Sequence, residues 1–318
     1  MNLQSGWYAI LSSREVTPEP REVRRFGLDL VAWRTRVGTA VIQANRCAHR
    51  SAKLSLGTIK KDCIKCPYHG IEYNHNGECS FVPEVQKAVP ALHIQTFTVT
   101  EENDFIWLWL GEQPPQQKPQ WFENLSAAWV YSERSEQWPI HFSRWVENEM
   151  DMVHLPFVHH NTIGKGMDPA RKSTFEFSAD SMILDFNYGK PGPRNKDFAE
   201  FRYPNIWQLG VSTKMFLMMA FAPVDEQETK LYFRTYRTFG KLPLIRRLVD
   251  LGIDKFNAKV VAQDKRVVLS QPLTNTAYQE DEALSPEDTA IKHLREILRA
   301  AKPFGGLKID DKTRSDSR

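Results

Sequence analysis

Two short cysteine–histidine segments constrain this chain more than any other feature: Cys47-Ala48-His49 and, after sixteen intervening residues, Cys66-Pro67-Tyr68-His69. At this separation two loops can each supply one thiolate and one imidazole to a single metal centre. A rival reading exists, because Cys63-Ile64-Lys65-Cys66 is a Cys-x-x-Cys that suits a redox dithiol or half of a zinc site. No second Cys-x-x-Cys or His-x-x-x-His lies elsewhere in the chain to complete such a site. Cys63 and Cys79 are therefore read as small buried residues.

The flanking residues sharpen the pattern. Cys47-Ala48-His49-Arg50 leads into Leu54-Ser55-Leu56-Gly57, and Cys66-Pro67-Tyr68-His69-Gly70 leads into Tyr73, Asn76 and Gly77, two strand-to-turn hairpins. On these residues the segment resembles the Rieske domain of the Rieske non-haem iron oxygenases. In such a 2Fe-2S cluster Cys47 and Cys66 would hold one iron and His49 and His69 the other. Imidazoles in place of thiolates remove negative charge and raise the potential to roughly −150 to +300 mV, which makes the cluster an electron inlet. The chain departs from the family pattern at Ser51, where Gly is commoner, and at Ile71, where Trp is commoner.

Length and composition bound the rest. The 318 residues suit two domains, and 41% hydrophobic residues can bury real cores. Four cysteines, two of them claimed by the cluster, offer no disulfide framework and point to a reducing, cytoplasmic compartment. Met1 to Leu11 lacks a basic segment followed by an apolar one, so no export signal is expected. The longest apolar runs, Phe105 to Leu110 and Met215 to Ala222, fall well short of the roughly 20 residues that span a bilayer. A net charge of +3 with nine scattered Trp argues against a nucleic-acid partner.

Along the chain, Trp7 to Leu11, Leu28 to Thr35, Thr39 to Ala44, Ile94 to Thr100 and Phe105 to Leu110 read as strands broken by Gly27, Gly38 and Asn103-Asp104. Glu112 to Pro119 is polar and proline-rich and reads as a linker. The expected organisation is a Rieske 2Fe-2S domain over 1–112, a linker over 113–120, a mononuclear-iron domain over 121–309 and a mobile tail over 310–318. In the second domain a helix is expected from Trp138 to Met152, ending near Pro156. Strands follow at Ser173 to Phe177, Met182 to Tyr188, Ile206 to Gly210, Met215 to Pro223 and Leu231 to Phe239. Helices follow from about Pro243 to Gln271 and from Pro286 to Ala301, the last capped by Ser285. The fold class is α+β: an all-β domain and an antiparallel sheet gripping a long helix.

A second constellation lies in Asp151-x-x-His154-x-x-x-x-His159. An iron that must meet both O2 and a substrate needs two His and one carboxylate on one face and open positions on the other. His154 and His159 would diverge on an unbroken helix, and Pro156 supplies a break. Asp151, one turn before His154, is placed to accept its ring N–H and fix its tautomer. The family resemblance implies more: Asp151 would bridge His154 to the cluster ligand His69 of a neighbouring subunit in a ring-shaped homotrimer. The third ligand is expected to be Asp264, an acid within Val260-Val261-Ala262-Gln263-Asp264-Lys265-Arg266-Val267-Val268, with Asp254 as fallback; a solvated Asp264 paired with Lys or Arg is the open alternative. Asn148 resembles the family's active-site asparagine, and a helix-holding role fits it equally. His75, His93 and His160 are assigned to no metal. Arg46, Arg50, Lys53, Lys60, Lys61 and Lys65 crowd the cluster loops against one acid, Asp62, as a solvated face or a dock for an acidic ferredoxin.

The resemblance runs from Trp7 to about Gln271 and implies a terminal oxygenase with a Rieske 2Fe-2S cluster and Fe(II). No Gly-x-Gly-x-x-Gly follows a strand, so NAD(P)H oxidation is expected on a separate ferredoxin or flavin reductase. A single chain of this length is most similar to the branch with vanillate and dicamba O-demethylases, ketosteroid hydroxylases and pheophorbide oxygenases. Hydroxylation or oxidative demethylation of a small apolar or aromatic substrate is preferred, with ring cis-dihydroxylation as runner-up. A non-catalytic Rieske electron carrier with a ligand-binding domain is the reading from another class. Trp207, Met218 and Phe221, with Met215 and Phe216, are the candidate pocket walls, core packing being their alternative role.

Overall fold

In the computed structural model, which describes residues 3–170, 172–186 and 196–301, Ser5–Pro119 form one compact unit and the described residues from Gln120 to Ala301 belong to another. The first holds ten strands: β1 (Gly6–Ser12), β2 (Arg21–Arg25), β3 (Leu28–Arg34), β4 (Ala40–Ala44), β5 (Thr58–Lys60), β6 (Cys63–Lys65), β7 (Glu72–Asn74), β8 (Cys79–Phe81), β9 (Val99–Glu102) and β10 (Phe105–Leu110). They pair as β1-β10-β9, β2-β3-β4 and β5-β6-β7-β8. Apolar residues on both faces bury β4 throughout and β10 almost throughout. Trp33 and Trp107 are fully buried aromatic anchors.

Two departures from the sequence pattern have physical causes. The expected strand from Ile94 to Thr100 joins a ladder only at Val99; before it, Gln43 and Thr96 meet in a single bridge. β2 escapes a hydrophobic reading because it is Arg-Glu-Val-Arg-Arg, yet Arg25 is buried with its guanidinium donating to the Ile10 carbonyl at 2.8 Å.

The second unit is one seven-stranded antiparallel sheet with helices against it. Its elements are β11 (Val130–Trp138), α1 (Phe142–Glu149), α2 (Leu155–Val158), β12 (Thr174–Phe177), β13 (Ser181–Asp185), β14 (Phe198–Arg202), β15 (Ile206–Ser212), β16 (Met215–Pro223), β17 (Thr229–Arg237), α3 (Pro243–Val268) and α4 (Thr289–Ala300). The strand order is β11-β17-β16-β15-β14-β13-β12. The long helix α3 is tied to β17 by Arg237–Asp250 at 2.7 Å and by Asn257 Nδ2 donating to Thr235 Oγ1 at 2.8 Å. This is the α+β, helix-grip architecture.

The helix expected from Trp138 to Met152 is shorter. Trp138 ends β11, and α1 begins only at Phe142, where the buried His141 accepts the Ser143 N–H on Nδ1 as an N-cap. β11 itself is polar along most of its length, and pairing with β17, including Glu133 on the Arg234 guanidinium at 2.6 Å, makes it a strand. The last helix starts at Thr289 rather than Pro286, because the Asp288 carboxylate accepts the Ser285 N–H at 2.6 Å in a turn ahead of it. β13 ends at Asp185; the expected strand end at Asn187-Tyr188, the domain end at 302–309 and the tail over 310–318 lie outside the described residues. Among the described residues no helix is long and apolar enough to cross a membrane.

Candidate metal centres

The two cysteine–histidine loops of the first unit share one backbone pattern. In each, the cysteine N–H donates to the carbonyl five residues on, Ala52 at 2.9 Å and Ile71 at 2.8 Å, and its carbonyl accepts the N–H four residues on, from Ser51 at 2.9 Å and Gly70 at 3.0 Å. Both residues closing these turns are left-handed, Ser51 at φ 60° and Gly70 at φ 70°. That geometry explains the preference for glycine at position 51, since a side chain there costs roughly 1 kcal/mol.

The loops place unlike ligands at unlike depths. Cys47 and Cys66 are buried, whereas His49 and His69 are exposed with ring centroids 4.7 Å apart. Two thiols inside and two imidazoles at the surface fit a cluster whose two irons are held by different ligand types. Tyr73, fully buried, has its hydroxyl 3.2 Å from Cys47 Sγ. Burial, then the sulfur, pushes the Tyr73 hydroxyl far above its ordinary pKa, so it keeps its proton and would donate to Cys47 Sγ were that sulfur held as a thiolate by a cluster. All four cysteines are free, but Cys63 is only half-buried and accepts from Ser80 Oγ at 3.4 Å, whereas Cys79 is buried as expected. Of the basic residues around the loops, Lys53 pairs with Glu22 at 2.6 Å, and Asp62 belongs to Arg36, whose N–H it accepts at 2.6 Å.

In the second unit His154, His159 and Asp264 converge, each with a ligand atom within 4.8 Å of the others. The two histidines flank the single turn α2: His154 precedes it and His159 follows it. Pro156 therefore opens a helix, at a position where its missing N–H is no loss, rather than breaking one. The real interruption is Met150 to Val153, where α1 ends. His159 turns back because Gly164 lets the following loop lie on α2; a Cβ there would come 1.8 Å from the Leu155 carbonyl oxygen.

Asp264 comes from α3, 6% exposed, with Oδ1 2.8 Å from His159 Nε2 and 3.6 Å from His154 Nε2. Asp254 lies elsewhere, half-exposed and paired with Arg134 at 3.5 Å. Although Asp264 Oδ1 touches both imidazoles, it is buried without a well-directed hydrogen bond among the described residues. Such an oxygen facing two ring nitrogens is a donor set for a divalent metal, and two His with one carboxylate suit iron(II). Burial pulls the His159 pKa down, but the Asp264 carboxylate outweighs it and the net shift is upward.

Further polar residues surround these candidate ligands. Gln263 Oε1 faces His159 Nδ1 at 3.0 Å and accepts from Thr162 Oγ1 at 2.6 Å, while Gln263 Nε2 donates to Asn161. An N–H on Nδ1 leaves the Nε2 lone pair for a metal. Asp151 Oδ2 lies 3.6 Å from His154 Nδ1, and its Oδ1 accepts the Val153 N–H at 2.7 Å; it does so from a non-helical segment, not one helical turn away. The contacts of Gln263 and Thr162 are not legible in the sequence, because they depend on which loop α3 meets.

The triad lines a cavity of about 270 Å³. Trp207 lines it, but Met218 and Phe221 do not: on β16 Met218 faces away while Leu217 and Met219 face in, and Phe221 packs near Trp145. Met215 and Phe216 are likewise off the cavity wall. Asn148 and Glu149 line it too, with Asn148 Nδ2 3.4 Å from Glu149 Oε1. Burial, and after it the Asp264 charge, raises the Glu149 carboxyl to a pKa of about 8.

Comparisons with known proteins agree with this geometry. The Rieske [2Fe-2S] domain model matches residues 6–98. Chlorophyllide a oxygenase, a chloroplastic protein of Arabidopsis thaliana, is 26% identical over 289 residues, which cover 85% of this chain and 52% of that protein. Aminopyrrolnitrin oxygenase PrnD of Pseudomonas fluorescens is 32% identical over 172 residues, 49% of this chain and 46% of that one. The chain thus spans about half the length of the curated relatives it matches. The crystal structure of dicamba monooxygenase bound to dicamba shares the fold with a TM-score of 0.76 at 19% identity, over 93% of this chain and 96% of that one.

Proposed function

We infer that this chain, which by its N-terminal domain, its fold and its relatives belongs with the Rieske non-haem iron oxygenases, is the terminal oxygenase component of a multicomponent system. The observation that carries the reading is the convergence of His154 Nε2, His159 Nε2 and Asp264 Oδ1 on the wall of an apolar cavity, in a chain that also holds the cluster loops. A 2Fe-2S cluster on Cys47, Cys66, His49 and His69 would supply single electrons, and iron(II) on the triad would supply O2 activation.

The chain's own residues do the positioning. Gln263 keeps a proton on His159 Nδ1, and the Asp151 carboxylate, 3.6 Å from His154 Nδ1, favours the proton there through its charge, so that both Nε2 lone pairs face Asp264. Apolar residues such as Leu217, Met219 and Phe233 hold the substrate body and exclude water. Asp151 additionally bridges to His69 of a neighbouring copy in a homotrimer, its side chain being 29% exposed and so available. A separate ferredoxin or flavin reductase docks on the exposed Arg46, Arg50, Lys60 and Lys61 around the cluster loops. The reaction is hydroxylation or oxidative demethylation of a small apolar or aromatic molecule, in the cytoplasm, where four free cysteines stay reduced.

Metal and sulfide analysis of anaerobically purified protein, with an electron paramagnetic resonance spectrum after dithionite reduction, tests this. The expectation is about three irons and two sulfides per chain and a Rieske-type signal. His154→Ala should retain the signal and lose one iron and all turnover. Two irons in the parent protein, unchanged by added ferrous iron, would leave an electron carrier instead.

A further inference from the structure

The cavity beside the triad holds one acidic side chain that the reading above leaves without a task. Its walls are mostly apolar, among them Leu155, Ile163, Leu209, Leu217, Phe233 and Val260. His154, His159 and Asp264 face one another. Asn257 commits its amide to Thr235, and Asp197 has Lys196 at 3.5 Å. Glu149 differs. Among the described residues its hydrogen bonding is limited to the long 3.4 Å contact with Asn148 Nδ2. It is surrounded by protein yet keeps part of its surface accessible, as a group facing a cavity does. Among the described residues that line the cavity there is no Lys or Arg.

A carboxyl group enclosed by apolar walls without a full partner is costly to fold around, most of all when ionised. The cost is recovered when a ligand brings a donor: a carboxylate hydrogen-bonded to a charged nitrogen in a low-dielectric site is among the stronger pairings available. An anionic ligand in the same place would meet Asp197 as a like charge and no Lys or Arg among the described lining residues, a repulsive element that sharpens selection. An ammonium group set against Glu149 with its hydrocarbon body along β15 and β16 uses both halves of the cavity.

We propose that Glu149 is the specificity-determining residue of this cavity and that the substrate is an apolar molecule bearing an amine or other cationic nitrogen, which Glu149 pairs with. This names the substrate class for the oxygenase reading and rests on it.

The test compares three probes with one hydrocarbon body: 4-phenylbutylamine, 4-phenyl-1-butanol and 4-phenylbutyrate. Binding to the full-length, iron-loaded protein is measured by calorimetry without reductase, alongside its iron content. The parent protein should bind the amine at least about tenfold tighter than the carboxylate, corresponding to about 1.4 kcal/mol. Glu149→Gln, which keeps shape and removes charge, should abolish that preference and leave the alcohol's affinity within about twofold. No preference for the amine in the parent protein overturns the proposal, as does a preference that survives Glu149→Gln. Loss of the alcohol together with the amine also overturns it, because Glu149 would then be holding the cavity's shape. The two readings fail separately: three irons with no amine preference defeats this assignment and leaves the oxygenase, whereas amine preference with the triad iron unbindable defeats the oxygenase.

Discussion

Replacing Tyr73 with Phe removes one oxygen from the interior of the cluster-bearing unit and leaves the packing in place. Tyr73 is fully buried, its ring belongs to the core with Val31, Trp33, Leu54 and Ile64, and its hydroxyl meets Cys47 Sγ at 3.2 Å. A hydrogen bond to a charged acceptor contributes about 1.5–3 kcal/mol. It acts on the thiolate in both oxidation states, and the reduced cluster, one charge more negative, accepts it more strongly. Taking the difference as about 1 kcal/mol, and 59 mV per tenfold change for one electron, the potential should fall by about 40 mV. Hydrogen bonds to the sulfurs are one of the terms that set such potentials. The assay is a redox titration followed by electron paramagnetic resonance, with iron and sulfide content unchanged. A potential that stays within about 10 mV of the parent, or that rises, would refute the donor role of Tyr73.

Gln263→Leu keeps the size of the side chain but removes the acceptor facing His159 Nδ1; ferrous-iron affinity at the triad should fall about 10–100-fold in an anaerobic titration while the cluster signal is unchanged. Glu147→Ala leaves the buried Arg144 and Arg295 with Glu282 as their remaining carboxylate, and the urea midpoint should report a loss of about 3–5 kcal/mol. Burial holds His141 neutral, with its pKa lowered to about 3 from 6.5. Its contribution is therefore complete above pH 6.5 and declines as pH falls toward 3, at up to about 1.4 kcal/mol per unit. In His141→Asn, which keeps a capping acceptor for Ser143, urea midpoints measured from pH 7 to 4 should decline less steeply than in the parent.

The four candidate cluster ligands and the two histidines of the triad lie in short segments of the chain, so local spacing suffices to propose them, whereas Asp264 lies about a hundred residues further on. Cys47, His49, Cys66 and His69 sit on short loops whose turns close on themselves, and His154 and His159 flank one helical turn. Alternating and β-branched stretches such as Leu28–Arg34 and Met215–Pro223 likewise announce strands without help from distant residues. The apolar neighbourhood of Asp264 marked it out from Asp254 on one helix, and in the fold it is Asp264 that meets the histidines.

What tertiary structure alone decided concerns contacts between distant segments. β2 and β11 are strands because partners pair with them, since their own charged sequences carry little hydrophobic signal. Which wall of β16 faces the cavity depends on a register in which Leu217 and Met219 point in and Met218 points out, a one-residue distinction that a uniformly apolar strand does not encode. Gln263 and Glu149 acquire their roles only when α3 and α1 close on the loop between His154 and Gly164. Short-range chemistry fixes which residues can bind a metal; burial and the register between elements decide which side chains orient those ligands and face the substrate, because both depend on partners a hundred residues away.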